Sequence, residues 1–217
     1  MDFGAPFSFP FQDQAWLKKI AIAGLITLIP IVGWLYLLGW GLEITRQIIH
    51  KEPVIIPETD FGKFLTRGFK AWVVGIVYAI PSFILQIPAQ LTNVMAQSAS
   101  NDNGNGVVFG GLAVVTICMS ILNVIYSLIL VFVLPAAYGN FMAKNEEIGA
   151  GFRFGEIFGM LKKAPLAYLL VWVGSIIAGV ISGLGLIACI IGIIFTLAYS
   201  VLIMSHFYGQ AYLEATK

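Results

Sequence analysis

Residues 20–42 run for 23 positions without a charged side chain. As a helix rising about 1.5 Å per residue, that run exceeds a bilayer hydrocarbon core of about 30 Å. Comparable apolar runs occupy 71–91, 107–142 and 164–209. Lipid offers backbone N–H and C=O groups no water, so runs of this length are satisfied as helices. The last run is long enough for two, divided at "SGLG", Ser182 to Gly185. The expectation is an all-α integral membrane protein of one domain, with about five spans at 20–42, 71–91, 107–142, 164–182 and 186–209. Only 11% of the 217 residues are charged, against roughly 25% in a soluble domain. A net charge of +1 argues against a nucleic-acid partner, because phosphate binding needs clustered Lys and Arg in excess.

Prolines mark where these helices deviate. Pro30 is expected to bend the first span rather than end it, Pro81 and Pro88 to kink the second, and the over-long third to tilt, protrude or break near Pro135. "SASNDNGNG", Ser98 to Gly106, reads as a loop. Cys118 and Cys189 lie in apolar runs without metal or disulfide spacing and read as small buried hydrophobes. The lead "MDFGAPFSFPFQDQAW" has no basic segment and two acids, so it does not read as a cleavable signal. Its Phe3, Phe7, Phe9 and Phe11, separated by Pro6 and Pro10, suggest an extended aromatic arm over 1–15, anchored in lipid or docked on a partner.

Positive residues in short loops stay cytoplasmic. Arg46, Lys51, Lys63, Arg67, Lys70, Lys144, Arg153, Lys162, Lys163 and Lys217 fall on one side of a five-span chain, and Lys18 and Lys19 on the other. This gives a cell-membrane protein with its N-terminus outside and its C-terminus cytoplasmic. If the first segment is instead a re-entrant hairpin broken at "IPIVGW", Ile29 to Trp34, all basic residues share one side.

"FGKFLTRGFKAW", Phe61 to Trp72, places Phe61, Phe64, Leu65, Phe69 and Trp72 on one helical face and Lys63, Thr66, Arg67 and Lys70 on the other. "FGEIFGMLKKAP", Phe154 to Pro165, repeats it 93 residues later and ends in Lys162 and Lys163. Two short interfacial helices follow, about 60–70 and 152–163, with Lys63, Arg67, Lys70, Lys162 and Lys163 facing anionic lipid and the first capped within "ETD". Two spans separate the phrases, so a duplication would be parallel. "LGWGLE", "AYGNFM" and "FYGQAY" each close an odd-numbered span, which sets those three helices in the same direction.

With "WLKKIAIAGLITLIPIVGWLYLLGWGLEITR", "IIPETDFGKFLTRGFKAWVVGIVYAIP" and "HFYGQAY" in view, the chain resembles an uncharacterised membrane family, domain of unknown function 4013. The resemblance implies a multi-pass membrane protein and supplies no catalytic residues.

No span carries an ionisable group near its centre, which argues against proton coupling. "GLGLIA", Gly183 to Ala188, matches a dinucleotide fingerprint in form but lacks a preceding strand. His206, near the end of the last span, is the one candidate ligand for a pigment or haem; the plainer reading is an interfacial histidine bonded to water or backbone. Ser175, Gly179 and Gly183 form a small-residue row, with Gly174, Ala178 and Ser182 beside it, suited to close helix packing inside the bundle or against a partner. Gln86, Gln90, Asn93 and Asn123 suggest interhelical hydrogen bonds. These features point to a non-enzymatic structural or interaction subunit, associated with itself or with other membrane subunits and holding no cofactor beyond bound lipid or pigment. The alternative is a channel or carrier for a small neutral solute or lipid, along a polar path of Gln86, Asn123 and Thr196.

Overall fold

The computed structural model describes residues 1–99, 106–187 and 189–217; most of the expected loop at Ser98 to Gly106 lies outside the described residues. Regular structure among these residues is helical: α1 (Ala5–Ser8), α2 (Trp16–Ile26), α3 (Val32–Ile49), α4 (Phe61–Ala99), α5 (Gly106–Ala143), α6 (Phe154–Lys163), α7 (Pro165–Leu184) and α8 (Cys189–Ala215). Short 3-10 turns occur at Phe9–Gln12 and Ile148–Phe152. Among the described residues, four helical stretches are long and apolar enough to cross a membrane: Phe61–Met95, Ala113–Ala143, Pro165–Leu184 and Gly192–Ala215. α4 continues through Pro81 and Pro88, and α5 through Pro135. The chain forms two compact units, Met1–Gly75 with Phe132–Lys217, and Ile76–Val131.

In the first unit the first apolar run is not one span. α2 ends at Ile26 and α3 starts at Val32, so Pro30 ends the helix rather than bending it. Ile31 takes φ 65° and ψ −60°, and Val32 N–H donates to the Pro30 carbonyl at 2.7 Å. This is a γ-turn, a strained geometry for a β-branched residue. Gly33 closes the bend, because a Cβ there would fall on the Ile26 carbonyl.

α8 shows where the two arms of this hairpin lead. The leading residues and α2 run against it: Asp2 N–H donates to Gln210 at 2.9 Å, Phe3 and Phe7 pack on Phe207, Phe11 on Tyr199, and Gly24 abuts Ile194. α3 runs with it: Gly41 abuts Val201, Thr45 Oγ1 donates to the Ser205 carbonyl at 2.7 Å, and Ile48 meets Gly209. The residues before α2 and after α3 therefore lie towards the same end of α8. This corrects the reading of 20–42 as one continuous helix; the chain is broken within "IPIVGW", the break that the hairpin alternative assumed. The arm is also corrected, from extended to two short helical turns, with Phe9 buried. Gly139 on α5 and Gly209 on α8 sit at close helix approaches, as does Gly39 on α3. Each belongs to one of the three similar closing motifs.

The two basic phrases repeat in burial as well as in sequence. Phe64 and Ile157, Arg67 and Met160, Ala71 and Ala164, Val74 and Ala167, and Tyr78 and Val171 are all buried, each pair 93 positions apart. They differ in context. α6 is a separate ten-residue helix, whereas the first phrase, expected as a separate interfacial helix, is the opening of the 39-residue α4. Pro165 accounts for the difference, since it starts a new helix where α4 continues with Trp72. Asp60 caps α4, its Oδ1 accepting from Lys63 N–H at 3.0 Å.

The second unit is a helical hairpin of α4 and α5 segments. Thr92 and Thr116 hydroxyls pair at 2.8 Å. The Tyr126 hydroxyl donates to the Tyr78 carbonyl at 2.8 Å, within the turn that Pro81 loosens. Gln86, Gln90 and Asn93 are exposed and not bonded across the hairpin among the described residues, and Cys118 is exposed too, contrary to the expectation of a buried thiol.

Candidate functional site

Where α3 finishes, α4 begins and α5 ends, the first unit holds a buried ion cluster. Arg67, expected at the lipid interface, is 1% exposed. Its Nε donates to Glu146 Oε1 at 2.7 Å, and its Nη1 is hydrogen-bonded to Glu43 Oε2. This corrects the expected exposure: an arginine with carboxylates on both sides is stable inside, where an unpaired one is not. Glu43 also receives Arg46 Nε at 3.0 Å, and Arg46 grips Glu52 with two bonds of 2.9 and 2.7 Å. Lys63 and Lys70 lie 3.4 Å from Glu43 and 3.6 Å from Glu146. The Phe64 ring underlies the cluster, 5.7 Å from the Arg67 guanidinium.

Burial pushes the Glu43 carboxyl up, and the hydrogen bonds from Arg46 and Arg67 overcome it, holding the group down at about 2. Backbone geometry also contributes. Asn145 and Glu146 both take positive φ, 52° and 63°, which turns the chain sharply after α5 and delivers Glu146 to Arg67. Beneath the cluster α3 and α4 approach closely, and a Cβ at Gly68 would fall on the Leu35 carbonyl.

Sequence reasoning placed Arg46 and Arg67 on the same side of the chain but joined neither to Glu43. The i,i+3 spacing of Glu43 and Arg46 is a local signal, whereas Arg67 meets its carboxylates only through tertiary packing. Lys162 and Lys163 are exposed, as expected. In the small-residue rows, Gly174 packs on Phe207 and the Ala178 carbonyl accepts from Ser200 Oγ at 2.8 Å. Among the described residues, a Cβ at Gly179 or Gly183 would meet nothing within 4 Å, and Ser175 bonds its own helix, to Val171 O. Within the chain it is the neighbouring row, at Gly174 and Ala178, that packs against α8. Thr196 donates to backbone carbonyls of its own hairpin, 2.9 Å to Gly192 and 3.2 Å to Ser182.

His206 is 6% exposed. Its Nδ1 pairs with Gln210 Nε2 at 3.0 Å, and the Phe9 ring covers it at 4.9 Å. Its Nδ1 partner is thus a side-chain amide of its own helix, and the arm covers its ring.

Against known proteins, residues 22–191 match the model of a protein family of unknown function, DUF4013. The chain belongs to this family. In this DUF4013 member the matched region takes in α3 to α7, and with them every charged group of the cluster. No curated protein and no solved structure matches the chain.

Proposed function

We propose that this DUF4013 protein is a non-enzymatic structural or interaction subunit of the cell membrane. One observation carries the reading. In the apolar window of Ala113–Ala143 only 6% of residues are buried within the chain, and in that of Phe61–Met95 only 17%, against 56% for Gly192–Ala215. A hairpin joined by a few hydroxyl bonds and otherwise uncovered has its packing surface free for lipid, another copy or another subunit. The ion cluster supports the same reading, since its charges bond one another and hold α3, α4 and the end of α5 together. The basic residues gather towards one end, which the positive-inside rule places in the cytoplasm together with both ends of the α2–α3 hairpin. Gentle detergent extraction from native membranes, followed by sizing and identification of co-purifying chains, tests the reading. Stoichiometric companions or a defined homo-oligomer support it; a particle holding one copy of this chain alone counts against it.

A further inference from the structure

The two basic phrases differ in what answers their charge. Lys63 and Lys70 reach carboxylates of the ion cluster. Lys163, the counterpart of Lys70, has no ion-pair partner among the described residues, and neither does Lys144 at the end of α5. These two lysines line one cavity of about 250 Å³ with Asn140, Glu156, Tyr212 and Thr216. Glu156, the acid of the lining, is already engaged: its Oε2 accepts from Asn140 at 3.0 Å and its Oε1 from Arg153 at 3.4 Å. Arg153 is shared between Glu156 and Glu147, the latter met at 3.3 Å, so the cavity sets two ammonium groups against one carboxylate that Arg153 partly offsets.

The surroundings indicate the depth of this cavity. α6 exposes Phe154 and Phe158, and Leu166 follows at 67% exposure, which places an apolar surface beside a polar, cationic one, as at a lipid headgroup layer. Along the α6–α7 junction runs an apolar groove of about 490 Å³, reaching from Leu161 to Leu169 and lined by Tyr168. Tyr168 contributes to this lining while its hydroxyl is enclosed, with no hydrogen-bond partner among the described residues. We propose that the Lys144–Lys163 cavity binds a phosphate-bearing anion, namely the headgroup of an anionic phospholipid whose acyl chain follows the α6–α7 groove.

The test uses the full chain, delipidated in dodecyl maltoside and offered dioleoylphosphatidylglycerol, dioleoylphosphatidylcholine or inorganic phosphate, with retention read by native mass spectrometry. Phosphatidylglycerol is expected to be retained in preference to phosphatidylcholine. Removing a lysine charge should weaken retention about fivefold, and Lys144→Gln with Lys163→Gln about thirtyfold. Lys144→Arg with Lys163→Arg should retain the lipid, which separates charge loss from misfolding. Lys18→Gln with Lys51→Gln is the control for diffuse attraction. An equal loss in that control, or unchanged retention in the glutamine pair, overturns the site. If inorganic phosphate binds as tightly and depends on the same lysines, the site takes soluble phosphate and the lipid assignment falls.

Discussion

Arg67→Met places in the first basic phrase the residue that the second carries at the equivalent buried position, Met160. The methionine fills similar space and removes the charge. Glu43, with its side chain 6% exposed, then keeps only Arg46 and a lysine 3.4 Å away. The descent of Glu43 from 4.5 to about 2 corresponds to about 3 kcal/mol of preference for its charged form, shared between Arg46 and Arg67. Breaking a buried pair from one side adds the cost of the carboxylate left behind, so the expected loss is about 3 to 4 kcal/mol. Removing both charges with Glu43→Gln and Arg67→Met should recover at least about 1.5 kcal/mol of that sum. Reversible unfolding in mixed dodecyl maltoside and dodecyl sulfate, followed by tryptophan fluorescence with Trp40 buried as a reporter, measures all the variants. A loss below about 1 kcal/mol for Arg67→Met, or strict additivity in the double variant, refutes the claim that the cluster holds these elements together.

The same cluster sets an acid limit. Because the folded-state value of Glu43 is depressed, its stabilisation is complete above about 4.5 and is lost as pH falls towards about 2; an unfolding series over that window should show the decline, and Glu43→Gln should flatten it. Gly68→Ala drives a Cβ onto the Leu35 carbonyl and should cost about 1 to 3 kcal/mol, whereas Gly62→Ala, with nothing within 4 Å, should be neutral or mildly stabilising in the same assay. In a background without Cys118 and Cys189, cysteines introduced at Gln14 and Gly149 should be labelled by an impermeant reagent from the same side of the membrane; labelling from opposite sides would restore a continuous first span.

What the sequence made legible is what depends on local period and composition. The apolar runs, the Asp60 cap and the shared direction of α3 and α8 follow from spacing or from repeated short motifs. Pro30 was ambiguous because an intramembrane proline can be accommodated or can end a helix. Close packing decides it here, Gly33 against Ile26 and Gly24 against Ile194, and neither contact is written in the run itself. Arg67 misled for a related reason. On its own helix it belongs to the basic face, and its burial depends on Glu43 and Glu146, which lie 24 and 79 positions away. In α7, helical spacing offered two adjacent small-residue rows but not which one meets α8, a choice set by where Phe207 and Ser200 stand.

The burial register shared by the two basic phrases bears on how such a chain could have grown. Each phrase opens a segment with two membrane-length helices, α4 with α5 and α7 with α8. A segment that leaves one side and returns to it can be copied in tandem, and the copy inserts the same way up with its loop charges unchanged. An ancestral piece with an odd number of crossings would have had its duplicate inverted and its lysines redistributed. The γ-turn at Ile31 extends the same parity to the leading part of the chain, because α2 runs against α8 and α3 runs with it. Every addition is then an even step, and the basic surface is carried along without being rewritten.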